Sequence, residues 1–220
     1  MRSMLQKNRI LLIASVFILY THSLYAKKQP EVSLGLIQGV VYPTMSFQPE
    51  VVQQASFQYH GGIALRYIAE KNVGIQAELS YSQRGWTESS SSGESFSKQI
   101  DYIELPLLTH IYIGREKTRF FIQLGPKIRY AIQEKNTNTY TNSTEHQHIT
   151  PIENSFDYSL LGGIGLEIRT KKIGYFQLET RYDFGIGDVY SNRKADHFSR
   201  SSNQGIIASI NYFFPIFKNK

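Results

Sequence analysis

Apolar and polar residues alternate with a period of two from residue 32 almost to the end of the chain, and few folds accommodate that. Phe57, Tyr59, Ile63, Leu65 and Tyr67 interleave with Gln58, His60, Ala64 and Arg66. Val73, Ile75, Leu79 and Tyr81 interleave with Gly74, Gln76, Glu78, Ser80 and Ser82, and the same rhythm returns in every later segment. Successive side chains of a strand point to opposite faces, so this pattern is that of strands with one apolar face. Helical spacing is hard to find. The expected strands are residues 32–42, 57–69, 73–84, 100–113, 119–132, 156–169, 173–186 and 204–217. Several exceed the roughly 5–6 residues of an ordinary globular strand and reach the roughly 9–11 needed to cross a bilayer at a tilt.

The connections alternate in length. Glu70 to Asn72, Gly114 to Thr118 and Thr170 to Lys172 are short and charged. Pro43 to Ser56, Gly85 to Gln99, Gln133 to Ser155 and Gly187 to Ser202 are long and polar. Short turns at one end and long loops at the other define an outer-membrane barrel. The expected fold is therefore all-β, an eight-stranded antiparallel up-and-down transmembrane β-barrel, filling one domain over residues 27–220.

Residues 1–26 are set apart from it. Arg2, Lys7 and Arg9 precede an apolar run, Ile10 to Tyr20, and a short, more polar segment ends at Ala26 before Lys27-Lys28. That is the order of a secretory signal peptide, and the run is too short for a membrane anchor of about 20 residues. The whole chain carries 24 basic and 18 acidic residues, a net charge of +6. Loss of the signal removes three basic residues and leaves +3, too little to argue for nucleic acid. Cysteine is absent, which excludes a disulfide scaffold and thiolate metal sites.

Two features put the polar face inside. It mixes large charged residues with Gly, Ala and Ser, as a narrow eight-stranded interior requires. The apolar face carries Tyr59, Tyr67, Tyr81, Tyr130, Tyr182 and Tyr212 toward strand ends, as interfacial girdles do. Inward charges in a narrow lumen need partners. Arg66, Arg84, Lys127, Arg129, Arg169 and Arg181 are expected to pair with Glu78, Glu104, Glu167, Glu179 and Asp183. The near balance of sign predicts a plugged interior rather than an ion-selective channel. Tyr102, Leu108, Phe121, Leu161 and Ile207 fall on the polar face as exceptions. Pro106 and Pro126 lie on neighbouring strands at about the same height, and Pro cannot donate to a ladder, so a bulge or local gap is expected there.

Several segments resemble a known family. Gln76-Ala77-Glu78-Leu79-Ser80-Tyr81-Ser82-Gln83-Arg84-Gly85 is similar to its third-strand motif, and Asp101-Tyr102-Ile103-Glu104-Leu105-Pro106-Leu107-Leu108 to its fourth. Phe121 to Pro126 and Glu179 to Gly185 also fit. These resemble the PorT-type outer-membrane β-barrel proteins of Bacteroidota across nearly the whole mature chain. The resemblance implies an outer-membrane location. One branch of that family is tied to type IX secretion and gliding; nothing here singles that branch out.

No residues form a catalytic, cofactor or metal signature. His60, His110, His197, Ser199, Asp196 and Asp188 supply parts for the alternative, an outer-membrane enzyme acting on lipid or peptide at the loop rim, but none has a diagnostic neighbourhood. Glu145-His146-Gln147-His148 offers two imidazoles two residues apart, which are not a metal site. Asn142-Ser143-Thr144 matches a glycosylation acceptor, which means little in a bacterial protein. Gly162-Gly163-Ile164-Gly165 lies inside a strand and opens no helix, so it is no phosphate loop; thin backbone beside large lumen side chains explains it. The reading is a non-enzymatic, monomeric barrel, a structural or interaction component of the envelope. Its surroundings are outer-membrane lipid and an unidentified envelope protein.

Overall fold

The computed structural model describes residues 30–50, 52–89, 95–115, 117–138, 151–170, 172–190 and 199–217. The expected signal peptide lies outside them. Eight strands form among the described residues: β1 (Glu31–Gln48), β2 (Gln58–Glu70), β3 (Val73–Ser89), β4 (Ser95–Gly114), β5 (Thr118–Asn138), β6 (Phe156–Arg169), β7 (Tyr175–Gly185) and β8 (Arg200–Phe217). Each pairs antiparallel with its neighbours in sequence, and β1 pairs with β8 to close the barrel.

The apolar face is outside. Leu36, Ile75, Leu107, Leu124, Leu178 and Ile210 lie open to the surroundings, while Ile37, Gln76, Leu108, Gln123, Gln177 and Ser209 beside them in sequence are sealed within. A continuous apolar belt of this size is stable only in lipid. Aromatic rings rim the belt. Tyr42, Phe57, Tyr59, Tyr130, Tyr158 and Tyr182 stand toward the long-loop end, and Tyr67, Phe120, Phe176 and Phe217 toward the short-turn end. Tight reversals close the latter. Asn72 takes a left-handed φ of 73° in the β2–β3 turn, which Asn tolerates better than most residues.

Five strands run further toward the long loops than the alternation predicts. β1 continues to Gln48 instead of 42, β3 to Ser89 instead of 84, and β5 to Asn138 instead of 132; β4 starts at Ser95 instead of 100, and β8 at Arg200 instead of 204. Most of the expected Gly85 to Gln99 loop is thus a projecting hairpin, paired as far as Ser89↔Ser95. β7, Tyr175–Gly185, is shorter than the expected 173–186. Backbone hydrogen bonding continues above the membrane, but no lipid there dictates an apolar outer face, so the hydropathy signal stops before the ladder does.

The ladder is interrupted beside both prolines. Pairing of β3 with β4 stops at Ala77↔Leu107 and resumes at Ser80↔Glu104, a gap opposite Pro106. Pairing of β4 with β5 stops at Pro106↔Lys127 and resumes at Thr109↔Leu124, a gap containing Pro126. Register is the same on both sides of each gap, so these are missing rungs and not bulges. The bulge lies higher, where Asp101↔Gln133 gives way to Tyr102↔Ala131 and Ile132 is the extra residue on β5.

Candidate functional site

Alternation aims an unusual density of charge into the lumen, and the register decides who meets whom. Three groups form. In the largest, Glu104 of β4 and Asp183 of β7 face Arg84, Lys127 and Arg129. Lys127 Nζ lies 3.0 Å from Glu104 Oε1 and 2.5 Å from Asp183 Oδ2. Arg84 donates through Nε to Glu104 at 3.1 Å, and its Nη2 lies 2.6 Å from Asp183. Arg129 reaches Asp183 at 3.0 Å and Asp157 at 2.7 Å. All six residues are at most 1 % exposed. In the second group Arg181 holds Glu78 at 2.7 Å and Glu179 at 2.8 Å. In the third, near the short turns, Arg66 reaches Glu167 at 2.9 Å, and Arg169 reaches Glu31 at 2.6 Å and Glu167 at 3.5 Å.

Three of these contacts cross the barrel. Arg66–Glu167 joins β2 to β6, while Arg181–Glu78 and Arg84–Asp183 join β7 to β3. Strands four apart in a closed ring of eight are diametrically opposite, so each pair spans the lumen. Glycine makes the space. A Cβ at Gly163 would lie 2.6 Å from Arg181 Cγ. A Cβ at Gly35 would lie 2.5 Å from the Phe213 ring, over which the Arg66 guanidinium stacks at 4.0 Å.

The lumen is not uniformly polar. Leu108, Leu161 and Ile207 cluster with Val41, and Phe121 packs with Ile68 and Tyr112. These exceptions to the alternation fill the space between ionic groups. Tyr102 belongs to a larger apolar cluster at the long-loop end, with Met45, Phe47, Trp86, Phe96, Ile100, Val189 and Tyr190. Val189 and Tyr190, just beyond β7, fold inward to cap the mouth; Val189 accepts hydrogen bonds from the backbone of Glu153 and Asn154.

Lys98 is sealed in this cap. Its ammonium lies 2.6 Å from Glu134, donates to the Tyr190 hydroxyl at 2.9 Å, and sits 5.9 Å from the Trp86 ring. Burial lowers the Lys98 pKa and raises that of Tyr190. Burial would also raise Glu134, but hydrogen bonds from Lys98 and from the backbone N–H of Ile152 outweigh it and hold the carboxyl below its usual range.

Sequence reasoning missed four members of these networks. Glu31, the partner of Arg169, lies one residue before the expected start of the first strand. Asp157 has the inward parity of β6 and was readable. Lys98 shares the parity of Glu104 but lies beyond the expected strand. Glu134 was not readable, because the extra residue Ile132 reverses the parity of β5 above it.

The parts considered for catalysis do not converge. His60 and His110 are buried in the lumen, where His110 Nδ1 lies 3.1 Å from Gln123. Asp188 accepts a hydrogen bond from the backbone of Ser201, and Ser199 is tied to Gln48, both above the lumen at the rim. Asp196, His197, Asn142 to Thr144 and Glu145 to His148 lie outside the described residues. Among the described residues no group of three metal-ligating side chains occurs.

Comparison with known proteins accords with this architecture. OprG, an outer membrane protein of Pseudomonas aeruginosa, is 12 % identical, with 85 % of this chain and 97 % of that one covered and a TM-score of 0.57. Outer Membrane Protein W of E. coli is 14 % identical over 86 % of this chain and all of that one, with a TM-score of 0.45. At 12 % identity the likeness to OprG is one of fold. No curated protein sequence matches the chain. Residues 27–191 match the outer membrane protein beta-barrel domain. The chain therefore belongs to the outer membrane protein beta-barrel domain family, and it resides in the outer membrane.

Proposed function

We propose that this protein is a non-enzymatic barrel with a closed lumen, exported by a signal peptide at residues 1–26, that serves the envelope as a structural or interaction component. The observation that carries the reading is the set of ion pairs between diametrically opposite strands, Arg66–Glu167, Arg181–Glu78 and Arg84–Asp183. A conducting pore needs open space and an excess of one sign, and balanced pairs across the diameter provide neither. With the interior committed to packing, contact with other molecules falls to the long-loop end, the short turns and the lipid-facing wall. A protein partner within a secretion or gliding assembly is one form of this role, because one branch of the PorT-type family that the third- and fourth-strand segments resemble serves there; the resemblance does not single that branch out. Planar-bilayer recording tests the closed lumen. Reconstituted protein is expected to give no large steady conductance, and a stable porin-sized current would refute the reading.

A further inference from the structure

Most glycines of the barrel sit where a side chain would collide. At Gly62, Gly85 and Gly125 a Cβ would run into the neighbouring strand's backbone, and at Gly163 into the stem of Arg181. Gly162 differs. Its Cβ would meet only Leu124 Cδ1, at an ordinary 3.7 Å. Packing does not require glycine there, so the missing side chain changes only the outer surface. Gly162 lies midway along β6, between Leu124 of β5 and Tyr182 of β7 in the paired register. Those residues, with Ile164, Thr180 and Ile206, bound a concavity of about 450 Å³ in the lipid-facing wall.

A polar ladder leads from this notch toward the long-loop end. The Tyr182 hydroxyl donates to Gln204 Oε1 at 2.9 Å. Further up β8, the guanidinium of Arg200 lies 5.9 Å from the outward ring of Phe184, and its Nε donates to Ser202 Oγ at 3.1 Å. Six residues separate Arg200 from Ile206, about 20 Å along the strand. With strands tilted at roughly 40°, that is about 15 Å of depth, half of a hydrocarbon core about 30 Å thick. The strip therefore runs from interface to midplane with a cation at the top, polar groups below it and an apolar hollow at the bottom.

We propose that this strip seats one phosphorylated, multiply acylated glycolipid of the outer leaflet, of the lipid A type. One acyl chain ends in the Gly162 notch, its polar linkage meets Tyr182 and Gln204, and a phosphate pairs with Arg200. The long-loop end of an outer-membrane barrel is its exterior end, so the lipid presented to Arg200 is that of the outer leaflet. A cation at headgroup height complements a phosphate monoester better than a zwitterionic headgroup. The inference rests on the outward assignment of the apolar face and not on the closed lumen.

Native mass spectrometry of protein extracted in mild detergent from its own outer membrane tests it. Wild type is expected to retain one lipid A-type glycolipid. Gly162→Phe fills the notch without touching the interior, and Arg200→Gln removes the cation. Each is expected to lower the retained fraction at least about tenfold, as loss of one charge-assisted or shape-matched contact does. Leu79→Phe, on β3 diametrically opposite β7, is the control expected to retain it. Heat-modifiable gel mobility verifies that each barrel is folded; if Gly162→Phe does not fold, Gly162→Val and Arg200→Gln carry the test. Retention by folded notch and Arg200 variants equal to wild type, a glycerophospholipid in place of the glycolipid, a dimer mass instead of a lipid adduct, or no adduct on wild type would each overturn the proposal.

Discussion

Replacing Glu104 with alanine isolates the role of paired charge in the lumen. Glu104 is fully buried, 3.0 Å from Lys127 Nζ and 3.1 Å from Arg84 Nε, with Arg129 at 3.9 Å. Three cations share three carboxylates here, Glu104, Asp157 and Asp183. The substitution leaves three cations against two carboxylates in a space with little water. Breaking a buried pair by removing one partner costs roughly 3–5 kcal/mol. Asp183 continues to hold Arg84, Lys127 and Arg129, which favours the lower end, about 3 kcal/mol or roughly a hundredfold in the folding equilibrium. With a urea dependence of about 1–3 kcal/mol per molar, the midpoint should fall by roughly 1–3 M. Reversible urea unfolding from lipid vesicles, followed by Trp86 fluorescence, measures it. Glu104→Met combined with Lys127→Met removes one charge of each sign and should cost much less than Glu104→Ala. A Glu104→Ala variant within about 0.5 kcal/mol of wild type would falsify the idea that paired charge supports the interior.

Two further predictions test the outer face and the cap. Leu79 is 46 % exposed and Ser80 beside it only 2 %; Leu79→Arg should therefore cost roughly 2–4 kcal/mol and Leu79→Phe almost nothing, since lipid accommodates any apolar shape, whereas a marked loss from Phe in the same unfolding assay would mean that Leu79 is packed in a core. In the cap, the folded pKa of Glu134 lies below its unfolded value, so its contribution is complete above the unfolded pKa and is lost as pH falls through the folded one. Acidification from pH 6 to below the folded pKa of Glu134 should leave Lys98 without its carboxylate, loosen the mouth and change the emission of Trp86, the chain's sole tryptophan. Glu134→Gln should show the loosened signal already at pH 6 and little further response, and an unchanged Trp86 signal in both proteins would refute the latch.

Much of this molecule is written locally. A strand sends alternate residues to opposite faces, and lipid on one side of a closed wall sorts those faces by polarity, so Val73 to Ser82 alone declare a strand, its apolar side and its environment. The lengths of the turns then fix an up-and-down order. That is why barrel, strand number and inward parity were legible, and why legibility fails above the membrane: Lys98 and Trp86 continue the inward parity of their strands, but no lipid marks the opposite face. Parity says that Arg181 and Glu78 point inward and cannot say that they touch, because 103 residues separate them and only closure of β1 on β8 sets β7 opposite β3. The same holds for Leu108 and Leu161, exceptions along their own strands that become a shared apolar filling once the ring closes. A single inserted residue, Ile132, turns Glu134 inward against the local rule and delivers it to Lys98. Period, face and environment were set by the sequence because each depends on neighbouring residues and a solvent boundary; partners across the lumen, its apolar filling and the capped mouth were set by the tertiary structure, because each depends on the shear and closure of the whole ring.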